Sequence, residues 1–203
     1  MPHWSEAAMH RTALPVLVLV ASLAIACPLP ATAAGPPPNY VQLKLGGYFP
    51  MASDVDTFDS GFNGEVAVGR YLAPGFAVEG GVGYFETKGR MPGTSVDREL
   101  EVVPLTFSLR GTVPYGPFEA YGMAGVGVYF IDDKLSSPAF QGQGASDSAA
   151  DVGLHLGLGG KYTMANNVFF SLEGKYLWLS TGTFGIDTRL DGAVLTVNIG
   201  YRF

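Results

Sequence analysis

Cysteine, charge and basic clusters are all scarce in this sequence. Cys27 is the only cysteine among 203 residues, so a disulfide framework is excluded. Charged residues make up 15% of the chain, below the roughly 25% of ordinary soluble domains. The formal net charge is −6 and Lys and Arg form no patch, so the sequence predicts no nucleic-acid partner.

The one long apolar run lies near the N-terminus. Arg11 precedes it, residues 12–26 are mostly Leu, Val and Ala, and the small residues Ala31-Thr32-Ala33 follow. This order is typical of a secretory signal, and the run is short for a transmembrane helix. We therefore expect residues 1–33 to be a cleaved signal peptide rather than a retained anchor, with residues 34–203 as the mature domain. Cleavage there would also remove Cys27.

Strict alternation replaces apolar runs in the rest of the chain, and the C-terminal stretch shows it best. Leu195, Val197, Ile199, Tyr201 and Phe203 alternate with Thr196, Asn198, Gly200 and Arg202. Side chains of a β-strand point to opposite faces in turn, so one face of this strand is large and apolar. A terminal aromatic closing such a face is typical of a strand that crosses a lipid bilayer.

Seven more stretches alternate in the same way, and eight strands of about ten residues result: 40–49, 62–72, 76–85, 100–110, 118–130, 152–162, 170–178 and 195–203. Long polar connections at 51–61, 86–98, 132–150 and 181–190 alternate with short turns. The pattern predicts an all-β, eight-stranded antiparallel up-and-down transmembrane β-barrel with both termini in the periplasm. Pro104 lacks an N–H donor, so we expect a bulge or an unbonded position there.

The composition of the second face decides which side of the barrel is outside. A soluble barrel, the alternative, would place Leu, Val and Phe inside and Lys, Glu, Gln and Thr in water. Here the second face is mostly Gly, Ala and Ser with isolated charges, which suits a narrow eight-stranded interior. The apolar face is then predicted to meet lipid, because such a surface in water would be unusually large.

Aromatic residues lie near the predicted strand ends, as two membrane-interface girdles require. We expect seven at the periplasmic rim: Tyr40, Tyr71, Phe76, Phe118, Tyr162, Phe169 and Phe203. Five are expected at the outer rim: Phe49, Phe62, Tyr84, Phe130 and Trp178.

Ten polar side chains fall on the inward face: Lys44, Glu65, Glu79, Arg110, Glu119, His155, Lys161, Glu173, Lys175 and Arg202. They could line a polar pore or form a catalytic cluster. The near balance of basic and acidic groups instead favours an ion-pair network that fills the lumen, since unpaired buried charge is costly. Arg202 is expected to pair with a lumenal glutamate.

Sites for metals, cofactors or catalysis are not predicted. Asp54, Asp56 and Asp59, with Asp132 and Asp133, fall in predicted outer loops, where solvated loop charge is favoured over a divalent-cation site because the ligand spacing is irregular. No histidine-plus-serine arrangement accompanies His155 on the lipid face, so hydrolysis is not expected.

The mature chain resembles the small outer-membrane β-barrel superfamily of OmpX- and OmpW-type proteins. The resemblance rests on Leu45-Gly46-Gly47-Tyr48-Phe49-Pro50, Val103-Pro104-Leu105-Thr106, residues 120–130 and Gly200-Tyr201-Arg202-Phe203. It implies an integral outer-membrane protein, with Ile199, Tyr201 and Phe203 as the signal read by the barrel-assembly machinery. It also implies periplasmic chaperones as partners during biogenesis, and outer-membrane lipid and lipopolysaccharide as surroundings.

The sequence therefore predicts a non-enzymatic, monomeric barrel with a mostly filled lumen and no cofactor. Its role would lie in envelope integrity or in surface interaction through its four loops. One alternative is a narrow channel for small or apolar solutes. Another is an enzyme on the same scaffold that modifies lipid A. Fold resemblance does not choose among these functions.

Overall fold

The computed structural model describes residues 39–51, 59–90, 97–136, 145–183 and 186–203. The predicted signal peptide and the loop residues Asp54 and Asp56 lie outside the described residues. Within these ranges no helix is long and apolar enough to cross a membrane.

The described residues form ten strands in chain order: β1 Asn39–Pro50, β2 Gly61–Ala73, β3 Phe76–Arg90, β4 Asp97–Tyr115, β5 Phe118–Ser136, β6 Ala145–Thr163, β7 Val168–Trp178, β8 Ser180–Thr183, β9 Ile186–Arg189 and β10 Gly192–Arg202. Eight of them form a closed barrel in the order β1-β10-β7-β6-β5-β4-β3-β2, while β8 and β9 pair only with each other. All pairs are antiparallel, so the predicted fold class is confirmed.

The barrel closes between its first and last strands. β1 pairs with β10 from Tyr40 opposite Arg202 to Pro50 opposite Gly192. Beyond this ladder, the Asn39 N–H donates to the Phe203 carbonyl (3.1 Å) and the Phe203 N–H donates to the Asn39 carbonyl (2.9 Å). Closure leaves neither strand with an open edge along this seam, which is the condition for burying strands in lipid.

The two ends of the barrel differ. At one, the turn end, β2 and β3, β4 and β5, and β6 and β7 are joined by short turns, and both ends of the barrel chain lie there. Gly75 and Gly116 in these turns have φ of 81° and 62°, a left-handed backbone that glycine adopts without steric cost. The longer connections lie at the opposite loop end.

Strand lengths differ from the sequence prediction. β4, β5 and β6 each have 19 residues, and β3 has 15, instead of about ten. Residues 86–90, 97–98, 132–136 and 145–150, which were expected in loops, belong to strands. Beyond the band of apolar outward residues, the outward positions of these strands hold polar residues such as Glu101 and Lys134. Alternation in hydrophobicity therefore ends before the strand does.

Pro104 produces an unbonded position without a bulge. The β3–β4 ladder pairs Val82 with Leu105 and Phe85 with Val102, with no paired residues between them and the same register on both sides. The missing N–H of Pro104 explains the gap. A register shift occurs instead in the β2–β3 ladder, between Tyr71 and Ala73.

The two faces of each strand confirm the predicted alternation. On β10, Val197 is 64% exposed whereas Thr196 and Asn198 are 1% exposed. The large outward side chains therefore form an apolar belt around the barrel, and the inward side chains fill the lumen.

Candidate functional site

The lumen collects the charged side chains predicted to point inward, and Lys44 on β1 lies at their centre. Its Nζ atom lies 2.9 Å from Glu65, 2.7 Å from Glu79 and 3.0 Å from Glu173. Glu65 is directly opposite Lys44 in the β1–β2 ladder, while Glu173 reaches it from β7, two strands away beyond β10. The three N–H bonds of the ammonium group are thus matched by three carboxylates.

Two further cations complete this central cluster. Arg110 on β4 pairs with Glu173 at 2.6 Å and with Glu79 at 3.2 Å. Lys175 on β7 pairs with Glu65 at 2.7 Å. Three cations therefore balance three carboxylates, all of them buried or nearly so. Charges removed from water are tolerable only when paired and hydrogen-bonded in this way.

Neutral groups donate the remaining hydrogen bonds to these carboxylates. Glu79 accepts from the Tyr40 hydroxyl and the Gln42 amide, both at 2.7 Å. Glu173 accepts from the Tyr121 hydroxyl at 3.0 Å, and the Arg110 guanidinium lies 4.1 Å from the centre of the Tyr121 ring. These contacts join side chains of β1, β2, β3, β4, β5 and β7 inside the barrel.

A second cluster lies nearer the turn end. Lys161 pairs with Glu119 at 2.6 Å, and the Tyr71 hydroxyl donates to Glu119 at 2.6 Å and is itself bonded to Lys161. Arg202 makes no ion pair with any described residue; its guanidinium lies 4.7 Å from the centre of the Tyr71 ring. The expected Arg202–glutamate pair is therefore wrong, because Lys44, Arg110, Lys161 and Lys175 already occupy the four lumenal glutamates.

His155 lies inside the barrel beside Ser108. The Ser108 hydroxyl is 2.8 Å from His155 Nε2, and both residues are buried. The adjacency was missed in the sequence because Ser108 is on β4 and His155 on β6, two strands apart. His155 Nδ1 has no hydrogen-bond partner among the described residues, so no acid orients the imidazole as a catalytic triad requires.

Three aromatic residues assigned to the periplasmic rim point into the lumen instead. Tyr40 and Phe169 are 2% and 1% exposed and pack edge to face, and Tyr71 packs against Tyr40. Side chains an even number of residues apart on a strand point the same way. Tyr40 therefore points inward with Lys44, and Phe169 with Glu173. The outward rim prediction holds for Phe76, Phe118, Tyr162 and Phe203 at the turn end and for Phe49, Phe62, Phe130 and Trp178 at the loop end, all of which are exposed.

An apolar plug fills the lumen toward the loop end. It comprises Tyr48, Phe85, Leu100, Val102, Tyr129, Ile131, Leu177, Leu179, Leu190 and Val194. The Tyr48 and Phe85 rings stack with centroids 4.7 Å apart. The plug is not among the sequence predictions, which place small or polar residues on the inward face and Leu190 in the polar connection 181–190. The signal was there: Phe85, Val102 and Ile131 continue the inward parity of their strands.

A strap formed by residues 179–183 and 186–191, with the paired strands β8 and β9, holds two plug residues in place. The Tyr48 hydroxyl donates to the Leu190 carbonyl (2.8 Å), and the Leu190 N–H donates to the Leu179 carbonyl (2.8 Å). Asp191, which is buried, accepts from the Leu179 N–H at 3.0 Å. These bonds fix Leu179 and Leu190 against the plug.

Charged residues on the loop-end extensions pair with one another. Asp133, expected in a solvated loop, is fully buried on β5 and bonded to Arg98. Lys134 pairs with Glu101 at 2.9 Å, and this hydrogen bond raises the pKa of Lys134 above its ordinary value. Burial raises the pKa of neighbouring Asp132. No group of three or more His, Cys, Asp or Glu side chains in the described ranges could hold a metal ion.

Ile199, Tyr201 and Phe203 lie together on the outward face at the turn end. Each is about half exposed (46%, 47% and 49%). The structure thus places the three residues of the predicted assembly signal on one stripe of the closing strand.

Comparisons with known proteins agree with this architecture. A family model described as outer membrane protein beta-barrel domain matches residues 18–203. The outer membrane protein OprG from Pseudomonas aeruginosa is 18% identical, with 84% of this chain and 98% of that chain covered and a TM-score of 0.66. Neisserial surface protein A is 16% identical, with 84% and 100% covered and a TM-score of 0.60.

A third similar structure is Ail, the attachment invasion locus protein of Yersinia pestis. It is 16% identical, with 84% of this chain and 100% of that chain covered and a TM-score of 0.52. At these identities the likeness shows a shared fold. No curated protein sequence matches this chain.

Proposed function

This chain belongs to the outer membrane protein β-barrel domain family, and from that premise we propose that it is a sealed, non-enzymatic barrel with a structural or surface-interaction role in the outer membrane. The turn end, with both ends of the barrel chain, faces the periplasm, and the loop end faces outward. The barrel functions as a monomer among outer-membrane lipid and lipopolysaccharide. The barrel-assembly machinery and periplasmic chaperones act on it during biogenesis.

The proposal that the lumen is sealed is supported by one observation: two different barriers follow one another along the barrel axis. The central cluster links β1, β2, β3, β4 and β7 through ion pairs of 2.6–3.2 Å. The apolar plug, closed by the strap, lies beyond it toward the loop end. An ion on this path would have to break a paired cluster and then cross an apolar layer, which a hydrophobic constriction resists by excluding water.

The lumen also supports the non-enzymatic part of the proposal. Its nearest approach to a catalytic arrangement is Ser108 with His155, and both side chains are buried. The pair lacks an acid on Nδ1 within the described chain. It is also packed closely against Gly125, where an added Cβ would collide with the His155 ring. A hydrolase needs both an oriented base and access for substrate.

Single-channel recording tests the seal against the channel alternative. Purified, refolded protein in a planar bilayer should give no reproducible conductance steps at 1 M KCl. Protein denatured before addition serves as the background control. Reproducible steps from the folded protein alone would establish the narrow channel instead.

A further inference from the structure

Arg70 on β2 is the one charged side chain on the outward face of the barrel strands outside their loop-end extensions. Val66 is exposed on this face, and side chains an even number of residues further along a strand point the same way, so Arg70 also points outward. The other charged outward residues of the described barrel strands fall in 86–90, 97–101 and 132–136, at the loop end. Arg70 is therefore an isolated positive charge on the apolar belt.

The strand register places Arg70 at the turn-end rim of that belt. Arg70 lies opposite Asn39, whose backbone bonds to that of Phe203, an exposed rim aromatic. A long cationic side chain at this level can reach the lipid head groups while its methylene groups stay in apolar surroundings. The Arg70 side chain forms no ion pair or hydrogen bond with another residue in the described ranges.

A shallow apolar groove of about 350 Å³ lies on the same outward face, across the seam between β1 and β10. Val41 opposite Tyr201, and Leu43 opposite Ile199, form its two sides. Gln42, between these two rows, is 1% exposed because it points inward, so no side chain fills the space over the seam. The outward side chains that line the groove are Val41, Leu43, Val66, Val168, Ile199 and Tyr201.

Arg70 and the groove are spaced as the head and the chain of one lipid. Val41, at the turn-end side of the groove, is two residues along β1 from Asn39, the residue opposite Arg70. Two residues of a strand span about 7 Å, and diagonal neighbours of a strand pair lie within reach of a long side chain. This leaves a short gap between cation and groove for the glycerol ester part of a lipid.

The chemistry of the two parts complements a phospholipid. A guanidinium group binds phosphate oxygens through charge-assisted hydrogen bonds, and it can do so with two parallel bonds. The groove offers only apolar side chains and one phenol ring, which suit a hydrocarbon chain. No acidic outward side chain lies near Arg70 on the turn-end half of the described strands to compete for it.

We propose that the β1–β10 seam binds a phospholipid of the periplasmic leaflet, with its phosphate on Arg70 and one acyl chain in the groove. The bound lipid covers the seam where the first and last strands of the barrel meet. The inference rests on the proposed function only in assigning the turn end to the periplasmic side of the membrane.

Native mass spectrometry tests the contribution of Arg70. Refolded protein in a nonionic detergent is titrated with dioleoyl phosphatidylglycerol, and one molecule should bind with saturation. Arg70→Gln should weaken binding about tenfold, the fold-change of one charge-assisted hydrogen bond, whereas Arg70→Lys should retain most of the affinity. Lys88→Gln is the matched control, because Lys88 is an outward cation at the loop end, and it should bind as wild type. Equal affinities of wild type and Arg70→Gln, or an equal loss in Lys88→Gln, would overturn the site.

Filling the groove tests the position of the acyl chain. Val41→Trp places a large ring in the groove without changing Arg70, and it should weaken phosphatidylglycerol binding several-fold. Val126→Trp is the control, because Val126 is 48% exposed on β5, four strands away from β1 around the barrel. Unchanged binding by Val41→Trp would show that the chain lies elsewhere and contradict the proposal.

Three further ligands or states separate a phospholipid from other occupants. Dioleoylglycerol, which lacks the phosphate, should bind more weakly and equally to wild type and Arg70→Gln. Displacement of phosphatidylglycerol by an equal concentration of glycerol 3-phosphate would reduce the site to an anion site. Tighter, Arg70-dependent binding of lipid A would assign it to lipopolysaccharide, and a dimer that Val41→Trp abolishes would assign the groove to a second copy of the chain. Each of these three results rejects the phospholipid.

The two proposals fail in different ways. Conductance steps from the unmodified protein contradict the sealed barrel whatever lipid it binds. A silent protein that binds phosphatidylglycerol equally well with and without Arg70 leaves the sealed barrel standing and removes only the lipid site.

Discussion

Lys44 shows how one residue can determine the electrostatics of a barrel interior. A lysine at the centre of a narrow lumen is unfavourable by itself, because its ammonium group has lost its water. Glu65, Glu79 and Glu173 reverse that penalty by converging on it from three other strands. The same geometry makes the carboxylates dependent on Lys44, since Arg110 and Lys175 cannot balance all three.

Replacing Lys44 should therefore destabilise the barrel strongly. Lys44→Met keeps most of the side-chain volume but leaves excess buried negative charge, and removing one partner of a buried ion pair costs about 3–5 kcal/mol. The matched control is Lys88→Met, because Lys88 is 64% exposed and pairs with Glu99 on the outside. Exposed pairs of this kind contribute about 0–1 kcal/mol.

The measurement is urea unfolding of both variants after refolding into lipid vesicles. If the urea midpoint of Lys44→Met were as close to the wild-type midpoint as that of Lys88→Met, the central cluster would contribute little to stability. Adding Glu173→Gln to Lys44→Met should recover part of the loss, because it removes one of the uncompensated charges.

At the scale of the strand, β10 contributes to the barrel both through its side chains and through its backbone. β10 carries the outward stripe of Ile199, Tyr201 and Phe203 on its outer face and forms the seam with β1. Phe203 contributes its backbone to the seam through two hydrogen bonds with Asn39, whereas its side chain is half exposed. Backbone and side chain of this residue can therefore be tested separately.

Loss of the Phe203 side chain should affect assembly more than stability. Phe203→Ala keeps both hydrogen bonds to Asn39 and removes only an exposed ring, so its unfolding free energy should change by less than about 1 kcal/mol. Its level in the outer membrane of cells should nevertheless fall several-fold, and deletion of Phe203 should lower that level further. Phe118→Ala, an exposed rim aromatic on β5, is the control and should assemble normally.

This prediction is tested by measuring the protein level in two cell fractions by immunoblot. Normal outer-membrane levels of the Phe203-deleted protein would contradict an assembly role for the C-terminal stripe. Equal losses for Phe203→Ala and Phe118→Ala would indicate a general need for rim aromatics instead.

The whole molecule is a barrel whose wall is taller on one side. β4, β5 and β6 extend to the loop end well past β1, β7 and β10. Leu179 and Leu190 of the strap belong to the plug. The loop end is therefore closed by the barrel's own residues, and the proposed surface role belongs to the outside of the extended strands and their loops.

The proposed orientation can be tested on intact cells. An epitope inserted after Gly142, in the connection between β5 and β6, should be labelled by antibody added outside. The same epitope inserted after Asn166, in the turn between β6 and β7, should be labelled only after the outer membrane is permeabilised. Labelling of the Asn166 insertion on intact cells would reverse the orientation.

Much of the fold followed from local sequence pattern. Alternation with period 2 identified eight barrel strands, the outward apolar belt and the inward direction of all ten polar residues, because side-chain direction in a strand depends on parity alone. The prediction was wrong where residues at inward positions of a strand are not polar. Tyr40, Tyr71 and Phe169 are aromatic yet inward, and the plug residues Leu100 and Ile131 are apolar yet inward.

Sequence alone determined which side chains enter the lumen; the tertiary structure decided which of them meet. Lys44 and Glu173 are 129 residues apart and share a hydrogen bond only because closure places β7 two strands from β1, with β10 between them. Ser108 and His155 become neighbours for the same reason, and Arg202 remains without a carboxylate because nearer cations occupy all four glutamates. Parity is a property of each strand, whereas pairing depends on barrel curvature and register, which no single strand encodes.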